Sequence, residues 1–139
     1  MTGHRPRRRA RAAVAPPGPP ILVAAVTTPA EAGSAIAAGA DMIDAAGLSD
    51  QAVAAIRARD PGARLWAGSP AAVDADASGV TTGGPAPPVA AAVARAAVLT
   101  WLGTPAIRTR HVRPVRRAID MTSSIAGTRL PSLTTRGLG

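Results

Sequence analysis

The stretch "ILVAAVTTPAEAGSAIAAGADMIDAAG", residues 21–47, holds two short apolar runs on either side of a helix-forming segment. The first run, 21–26, is rich in β-branched residues, as a buried parallel strand is. Thr28 suits the N-cap of a helix, and Glu31, three residues later, completes a capping box. Residues 41–47 then predict a second strand. This stretch therefore predicts a strand–helix–strand unit.

The rest of the chain continues the same alternation of elements. Its predicted elements are a helix at 49–60, a strand at 63–69, a Gly/Pro/Ala-rich loop at 70–88 with one short strand at 79–82, a helix at 89–103, a strand at 105–112 and a last helix that opens at Pro114. Alternating units of this kind fold as a parallel sheet with crossover helices. An eight-stranded barrel needs about 250 residues, and the chain has 139. We therefore predict an α/β fold in the form of a partial, half TIM-barrel-like βα repeat.

The last predicted helix is amphipathic, with an apolar stripe and a charged side. The stripe consists of Val115, Ala118, Ile119, Thr122 and Ile125, and the side chains that lie away from it are Arg113, Arg116, Arg117 and Asp120. Because Arg116 and Asp120 are four residues apart, they are expected to pair on this solvated face.

The composition excludes several kinds of site. The chain has no cysteine, which rules out disulfides, thiolate chemistry and Cys-ligated zinc, and its two histidines leave little for a His-based metal site. Its net charge is +8, and all sixteen cationic side chains are arginine. No window approaches the apolar length of a membrane span, and prolines interrupt any signal-peptide core near the amino end. A cytoplasmic protein with no membrane partner is the resulting expectation.

The domain organisation is simple. Residues 1–20, "MTGHRPRRRARAAVAPPGPP", form a charge run followed by a Pro/Gly run and are predicted to be a disordered basic arm. Residues 21–139 are predicted to form one βα-repeat domain. A half-length array leaves two open strand edges and an uncovered inner face, so a homodimer that closes the edges or covers the inner face is expected.

The end of the chain resembles that of a known enzyme family. "SIAGTRLP" (124–131) and "TRGL" (135–138) are similar to the C-terminal tail of dihydropteroate synthases, especially the actinobacterial paralogues, in which an Arg-x-His strand motif and a helix precede this tail. "GADMIDAAG" (39–47) is similar to a Gly-Ala-Asp strand of the same family. The resemblance implies a pterin-binding domain on a barrel-type fold, of the kind used in folate biosynthesis.

The departures from the family pattern bear on catalysis. Dihydropteroate synthases are transferases that join p-aminobenzoate to a hydroxymethyl-dihydropterin and displace pyrophosphate, using an aspartate and an asparagine to read the pterin edge and a lysine and an arginine to hold it. Here the aspartate position falls at Ala25 and the asparagine position at Asp44, and the chain has no Asn and no Lys. No catalytic residue is assigned. We expect a pterin-binding relative that lacks full catalysis by itself.

Four residues are candidates for ligand contact, each with an alternative. Arg108 lies at the carboxyl end of a predicted strand, where its planar guanidinium suits a phosphate or the diphosphate of a pterin ligand; the alternative is a solvated arginine that contributes little to folding. Arg110 shares its strand face and adds charge. His111 points the other way and either contacts the ligand or caps the last helix. Asp44 either accepts from a pterin-like N–H edge or is an exposed carboxylate or helix cap.

Metal and phosphate-loop sites are not predicted. Asp74 and Asp76 are two carboxylates without a third ligand and are set aside as a metal site. "GVTTGG" (79–84) lacks the lysine of a phosphate loop and is interpreted as a turn. No cofactor is predicted for the chain itself, and Mg²⁺ would enter only with a diphosphate ligand.

A second function from a different class stays open at this point. The arginines of 5–11 and 108–117 could bind nucleic acid or another polyanion through counterion release, without enzymatic activity. Against this, no known DNA-binding motif is present, and no aromatic residue interleaves these arginines to stack bases.

Overall fold

The computed structural model describes residues 18–68, 72–77 and 88–128. Within these ranges the chain forms β1 (Ile21–Ala25), α1 (Pro29–Ala37), β2 (Met42–Asp44), α2 (Asp50–Arg59), β3 (Leu65–Trp66), β4 (Ala72–Asp74), α3 (Val89–Trp101), β5 (Ala106–Thr109) and α4 (Val112–Ile125). None of the helices in these ranges has the length and apolar content needed to cross a bilayer.

The strands form one sheet in the order β3-β2-β1-β5-β4, and every pairing in it is parallel. The predicted α/β class with a parallel sheet is therefore confirmed. The first strand lies in the centre, paired with β2 on one side and with β5, the last strand, on the other.

One hydrophobic core holds the helices on the sheet. Leu22 of β1 pairs in register with Ile107 of β5, and Ala24 pairs with Ile43 of β2, so these four side chains share one face. They belong to one cluster of buried residues to which every described helix contributes. The fold is therefore two layers, with the helices on one face of the sheet.

The helix starts follow from the predicted caps. Thr28 Oγ1 accepts a hydrogen bond from the Glu31 N–H at 3.2 Å, and the Glu31 carboxylate accepts from the Thr27 N–H at 2.7 Å. Ser49 Oγ accepts from the Ala52 N–H at 3.2 Å in the same way at α2. Each cap satisfies donors that the first helical turn leaves without a partner.

Several predicted boundaries are wrong. Three residues of the predicted loop at 70–88, Ala72–Asp74, form strand β4 beside β5, while the predicted strand at 79–82 lies outside the described residues. The strand predicted at 105–112 ends at Thr109, because α4 begins at Val112, two residues before Pro114. The alternation that was expected to carry Arg110 on the Arg108 face therefore stops before Arg110.

The predicted surface of α4 needs two corrections. Ile125, the final residue of the helix, is 70% exposed, whereas the rest of the stripe is buried. Arg116 is not on a solvated face, because its side chain is 19% exposed and donates to the Gly39 carbonyl at 2.9 Å and to the Asp41 carboxylate. Its expected pairing with Asp120 is present at 3.9 Å.

Of the predicted basic arm, residues 1–20, only the last three residues are described. Residues 1–17 lie outside the described part of the chain, and Gly18 and Pro19 are exposed. Pro20 is buried, and the neighbouring Ile21 N–H donates to the Pro105 carbonyl at 2.9 Å. Pro20 is thus the first buried residue of the described ranges.

Candidate functional site

The sheet face that points away from the helices carries a cluster of charged side chains. Arg108 of β5 is in register with Asp74 of β4 on one side and with Val23 of β1 on the other. Asp44 ends β2, beyond β1, and shares this face because Val23 pairs with Met42, two residues before it. Three strands thus bring one arginine and two aspartates to the same side of the sheet.

Arg108 joins the two carboxylates directly. Its Nε donates to Asp44 Oδ2 at 2.6 Å and its Nη1 donates to Asp74 Oδ2 at 3.0 Å. The first contact reaches across β1, whose Val23 is only 1% exposed. The Asp44 side chain is 14% exposed, whereas the side chains of Arg108 and Asp74 are 38% and 37% exposed. The Asp44–Arg108 pair is therefore the sheltered half of this charged cluster, defined by Asp44, Asp74 and Arg108.

The pairing fixes the charge of two members of the cluster. Burial raises the pKa of Asp44, but the hydrogen bond from Arg108, the Ala46 N–H and the charge of Arg108 outweigh burial and hold this pKa below its ordinary value. Burial lowers the pKa of Arg108, and the hydrogen bonds and charges of Asp44 and Asp74 raise it above its ordinary value. Asp44 and Arg108 are consequently both charged at neutral pH.

Trp66 extends the charged cluster with an aromatic ring. It ends β3 and pairs in register with Asp44, so the indole and the carboxylate lie side by side on one face of the sheet. The side of the cluster toward β3 therefore offers a flat apolar surface next to an ionised acceptor. Sequence reasoning missed Trp66, although it is one of only two tryptophans and lies within the strand predicted at 63–69.

The Asp76 carboxylate, outside the charged cluster, binds the end of β5. The Asp76 side chain is 4% exposed and accepts from Thr109 Oγ1 at 2.7 Å and from the Arg110 N–H at 2.6 Å. The Arg110 guanidinium lies 3.8 Å from the same carboxylate and is 60% exposed. Asp76 therefore ties the segment after β4 to the turn that leads into α4, which is a structural role.

A groove with a volume of about 700 Å³ lies between α1 and the start of α4, at the carboxyl ends of β1 and β5. Arg110, His111 and Arg113 line one wall, and Glu31 and Ser34 line the other. The Glu31 pKa is held below its ordinary value by hydrogen bonds from the Thr27 backbone N–H and hydroxyl, so a carboxylate faces the cations. The surface of the groove is mainly apolar, and its few charged side chains are of both signs.

The four predicted site residues thus fall in two places. Asp44 and Arg108 meet in the charged cluster, whereas Arg110 and His111 line the groove. His111 occupies the N-cap position of α4, yet its ring caps no backbone N–H there; its backbone N–H donates to Thr109 Oγ1 at 2.9 Å.

Asp74 and Asp76, which were set aside as a metal site, each have a partner within the protein. Asp74 binds Arg108 and Asp76 binds the end of β5, and the described residues contain no group of three or more His, Asp or Glu side chains able to hold a metal ion. The sequence could have suggested Asp74 only if strand β4 had been recognised, since the strand places it opposite Arg108.

The chemistry of the charged cluster is that of a polar recognition surface. An ionised carboxylate has about four acceptor positions, of which Arg108 and the Ala46 N–H, at 3.0 Å, take two on Asp44. A guanidinium has five N–H donors, of which the two carboxylates take two. The cluster can therefore accept from and donate to a planar polar ligand without breaking its own pairs.

Comparison with known proteins gives no relative for this chain. The chain matches no protein-family model, no curated protein and no solved structure. The resemblance to dihydropteroate synthases therefore rests on the quoted residues alone.

Proposed function

We propose that the chain is a shortened dihydropteroate-synthase-like protein that binds a pterin-like heterocycle and does not catalyse dihydropteroate formation by itself. The observation that carries the proposal is the contact between Asp44 and Arg108, which lie 64 residues apart in the chain and 2.6 Å apart in space. These are two of the four ligand-contact candidates predicted from the sequence, and they meet on the sheet face that the helices leave open.

The strand order supports a half-barrel arrangement. From the β4 edge, the strands follow the order β4-β5-β1-β2-β3, which is a circular permutation of their order in the chain, with the last strand paired to the first. A barrel that is interrupted between β3 and β4 would have the same order. The three crossovers between neighbouring strands, from β1 to β2, β2 to β3 and β4 to β5, run in the same direction along the sheet. This places their helices on one side when each crossover is right-handed. A closed barrel has its helices outside in the same way.

Chain length favours a curved sheet. Five residues separate Trp66 of β3 from Ala72 of β4, and these strands form the two edges. In a flat sheet Trp66 and Ala72 would lie roughly 23 Å apart, because the connection must cross four strand spacings and also run back from the carboxyl end of β3 to the amino end of β4. The six residue steps between them reach at most about 21 Å. A curved sheet brings the edges closer and makes its open face concave. The charged cluster then lies on the inside of the curve.

The balance of charge in the cluster favours a ligand with a donor edge. Two carboxylates face one guanidinium, so a neutral heterocycle with ring N–H and amino groups gains acceptors, while the remaining Arg108 donors suit a ring carbonyl. The indole of Trp66 supplies a face for stacking. These are the hydrogen-bonding and stacking needs of a pterin ring.

A diphosphate is the less favoured partner for Arg108. The contact predicted from the sequence requires the two-pronged edge of the guanidinium, and its Nε and Nη1 already face Asp44 and Asp74. A phosphate would have to displace these carboxylates or lie beside them, at an electrostatic cost. The diphosphate contact stays a prediction, and the test below separates it from heterocycle binding.

The test is calorimetric titration of the full chain with 6-hydroxymethylpterin and, separately, with inorganic diphosphate. We expect binding of the pterin, and we expect Asp44→Ala, which removes every side-chain acceptor at this position, to weaken it at least tenfold, because a charge-assisted hydrogen bond contributes about 1.5–3 kcal/mol. Asp50→Ala is the matched control, since Asp50 lies exposed in the first turn of α2. No pterin binding at millimolar ligand, or equal losses in the two variants, would contradict the proposal.

A polyanion-binding function has one observation in its favour. The described ranges contain nine arginines and all eight carboxylates of the chain, and the other seven arginines lie within 1–17 and 129–139. The excess positive charge is thus concentrated toward the ends of the chain. Binding to duplex DNA should then fall steeply with salt and should be abolished by neutralising the arginines of 5–11 to glutamine, while pterin binding is unchanged.

A further inference from the structure

The outward face of α3 has an unusual composition for a surface helix. Of its thirteen residues only Arg95 is charged, and the Arg95 guanidinium donates to the Ala77 carbonyl beside the sheet. The exposed positions on the helix and its C-cap are all apolar and include Ala90, Ala91, Ala94, Val98, Trp101 and Leu102. Since a helix that is apolar on all sides is normally buried, this face requires a cover.

The neighbouring end of α4 enlarges the same surface. Met121 and Ile125 are 63% and 70% exposed, and Ile125 lines a shallow apolar depression together with Val98, Trp101 and Leu102. We call these five large side chains, with the three alanines of α3, the apolar face. Its large members, Val98, Trp101 and Leu102 of α3 with Met121 and Ile125 of α4, are between 58% and 73% exposed.

The area of the apolar face is close to what a stable interface uses. Five large apolar side chains that are about two-thirds exposed present roughly 400–500 Å². A standard interface buries about 800 Å² on each partner, of which about 56–65% is apolar. The two values agree, whereas scattered single apolar residues on a surface would present much less.

The arrangement of large and small residues on α3 is self-complementary. If two copies of α3 lie antiparallel about a two-fold axis near residue 96, Ala94 faces Val98 of the other copy, Ala91 faces Trp101, and Ala90 faces Leu102. Every large side chain then meets an alanine, so the two helices can approach closely. A two-fold interface needs this property, because the same patch must fit itself.

We infer that the apolar face is the interface of a two-fold homodimer, built on antiparallel packing of α3 against α3 of a second copy. This interface differs from the dimer predicted from the sequence, in which a second copy closes the strand edges or covers the inner sheet face. It uses the outward face of a helix instead. Met121 and Ile125 of α4 extend the contact on each side of the α3 pair.

Sedimentation of the full chain and of two matched variants tests this inference. The wild type should sediment as a dimer at tens of micromolar, and Ala94→Glu should be a monomer at the same concentration because it places a carboxylate in the interface. Ala54→Glu makes the same change at an exposed position in the middle of α2 and should remain dimeric. A monomeric wild type, or a dimer that both variants keep or both lose, overturns the inference.

Disulfide trapping gives an answer even if Ala94→Glu fails to fold. The chain has no cysteine of its own, so the double variant Ala94→Cys, Val98→Cys carries the only thiols. Antiparallel packing brings each introduced thiol opposite its counterpart, within the Cα separation of roughly 4.4–6.8 Å that a disulfide spans. We expect near-complete cross-linked dimer on mild oxidation and little from Ala54→Cys. Equal cross-linking at the two sites overturns the proposed surface.

Discussion

Replacement of Arg108 by alanine isolates the energetic role of the charged cluster. In the folded protein the guanidinium joins Asp44 at 2.6 Å and Asp74 at 3.0 Å, and its removal leaves both carboxylates without their cation. The Asp44 side chain is only 14% exposed, so solvent cannot fully replace the lost partner. We therefore expect Arg108 to contribute to stability, in contrast to the sequence-based expectation that it contributes little to folding.

The size of the effect follows from the exposure of each pair. A hydrogen bond to a charged group contributes about 1.5–3 kcal/mol when it is sheltered, which describes the contact with Asp44. The contact with Asp74 joins two side chains that are each more than a third exposed, so solvent screening limits it to about 0–1 kcal/mol. We expect Arg108→Ala to lower the free energy of unfolding by about 2–3 kcal/mol.

The loss should depend on pH in a defined direction. The Asp44 pKa is depressed in the folded protein, so its contribution to stability is present above the unfolded value, about 3.9, and is lost as pH falls through the folded pKa. Without Arg108, burial of Asp44 is opposed only by the Ala46 N–H. The difference in stability between wild type and variant should therefore be full at pH 6–7 and shrink below about pH 4.

Urea denaturation at several pH values measures both quantities. Arg117→Ala is the control, because Arg117 is exposed on α4 and its loss changes net charge equally; it should alter stability by no more than about 0.5 kcal/mol. Two results would refute the reasoning: equal losses in the two variants, or a loss in Arg108→Ala that stays constant from pH 7 to pH 3.

Two further outcomes are expected. Arg116→Ala should lower the free energy of unfolding by about 1–2 kcal/mol, as judged by thermal denaturation against Arg117→Ala, because it removes the donors to the Gly39 carbonyl and to Asp41; no difference between the two variants would contradict this. The purified chain should not convert p-aminobenzoate, because alanine occupies position 25 and no lysine is present; detectable product in a radiolabelled assay, or rescue of a strain lacking the synthase, would oppose the proposed function.

The order of most elements could be predicted because local chemistry marks them. Thr28 and Ser49 cap their helices as their positions indicate, and the β-branched run from Ile21 forms the central strand. Strand β4 carries no such mark: its three residues, Ala72–Asp74, occur in a Gly/Pro/Ala-rich segment and form a strand only because β5 offers an edge. Tertiary pairing, not propensity, decides that strand.

The same distinction explains what was missed in the candidate site. Asp44 and Arg108 could be placed at strand ends from their own segments. Their contact with each other, and with Asp74, depends on the non-sequential strand order, which sets β2 and β4 on either side of the β1–β5 pair. Arg116 was misplaced for a related reason, since its partners Gly39 and Asp41 belong to a turn far away in the chain.

The proposed dimer and the proposed ligand site lie on opposite sides of the fold. The helices pack on one face of the sheet, and the outward face of α3 points further away from it, whereas Asp44, Trp66 and Arg108 lie on the other face. A second copy bound at α3 therefore cannot supply a residue to the charged cluster or close the open side of the sheet. Pterin affinity should accordingly be the same in the Ala94→Glu monomer and in the wild-type dimer. A tenfold or greater loss in that monomer, with its fold intact by circular dichroism, would mean that the second copy completes the ligand site and that the half-barrel pairs through its inner face.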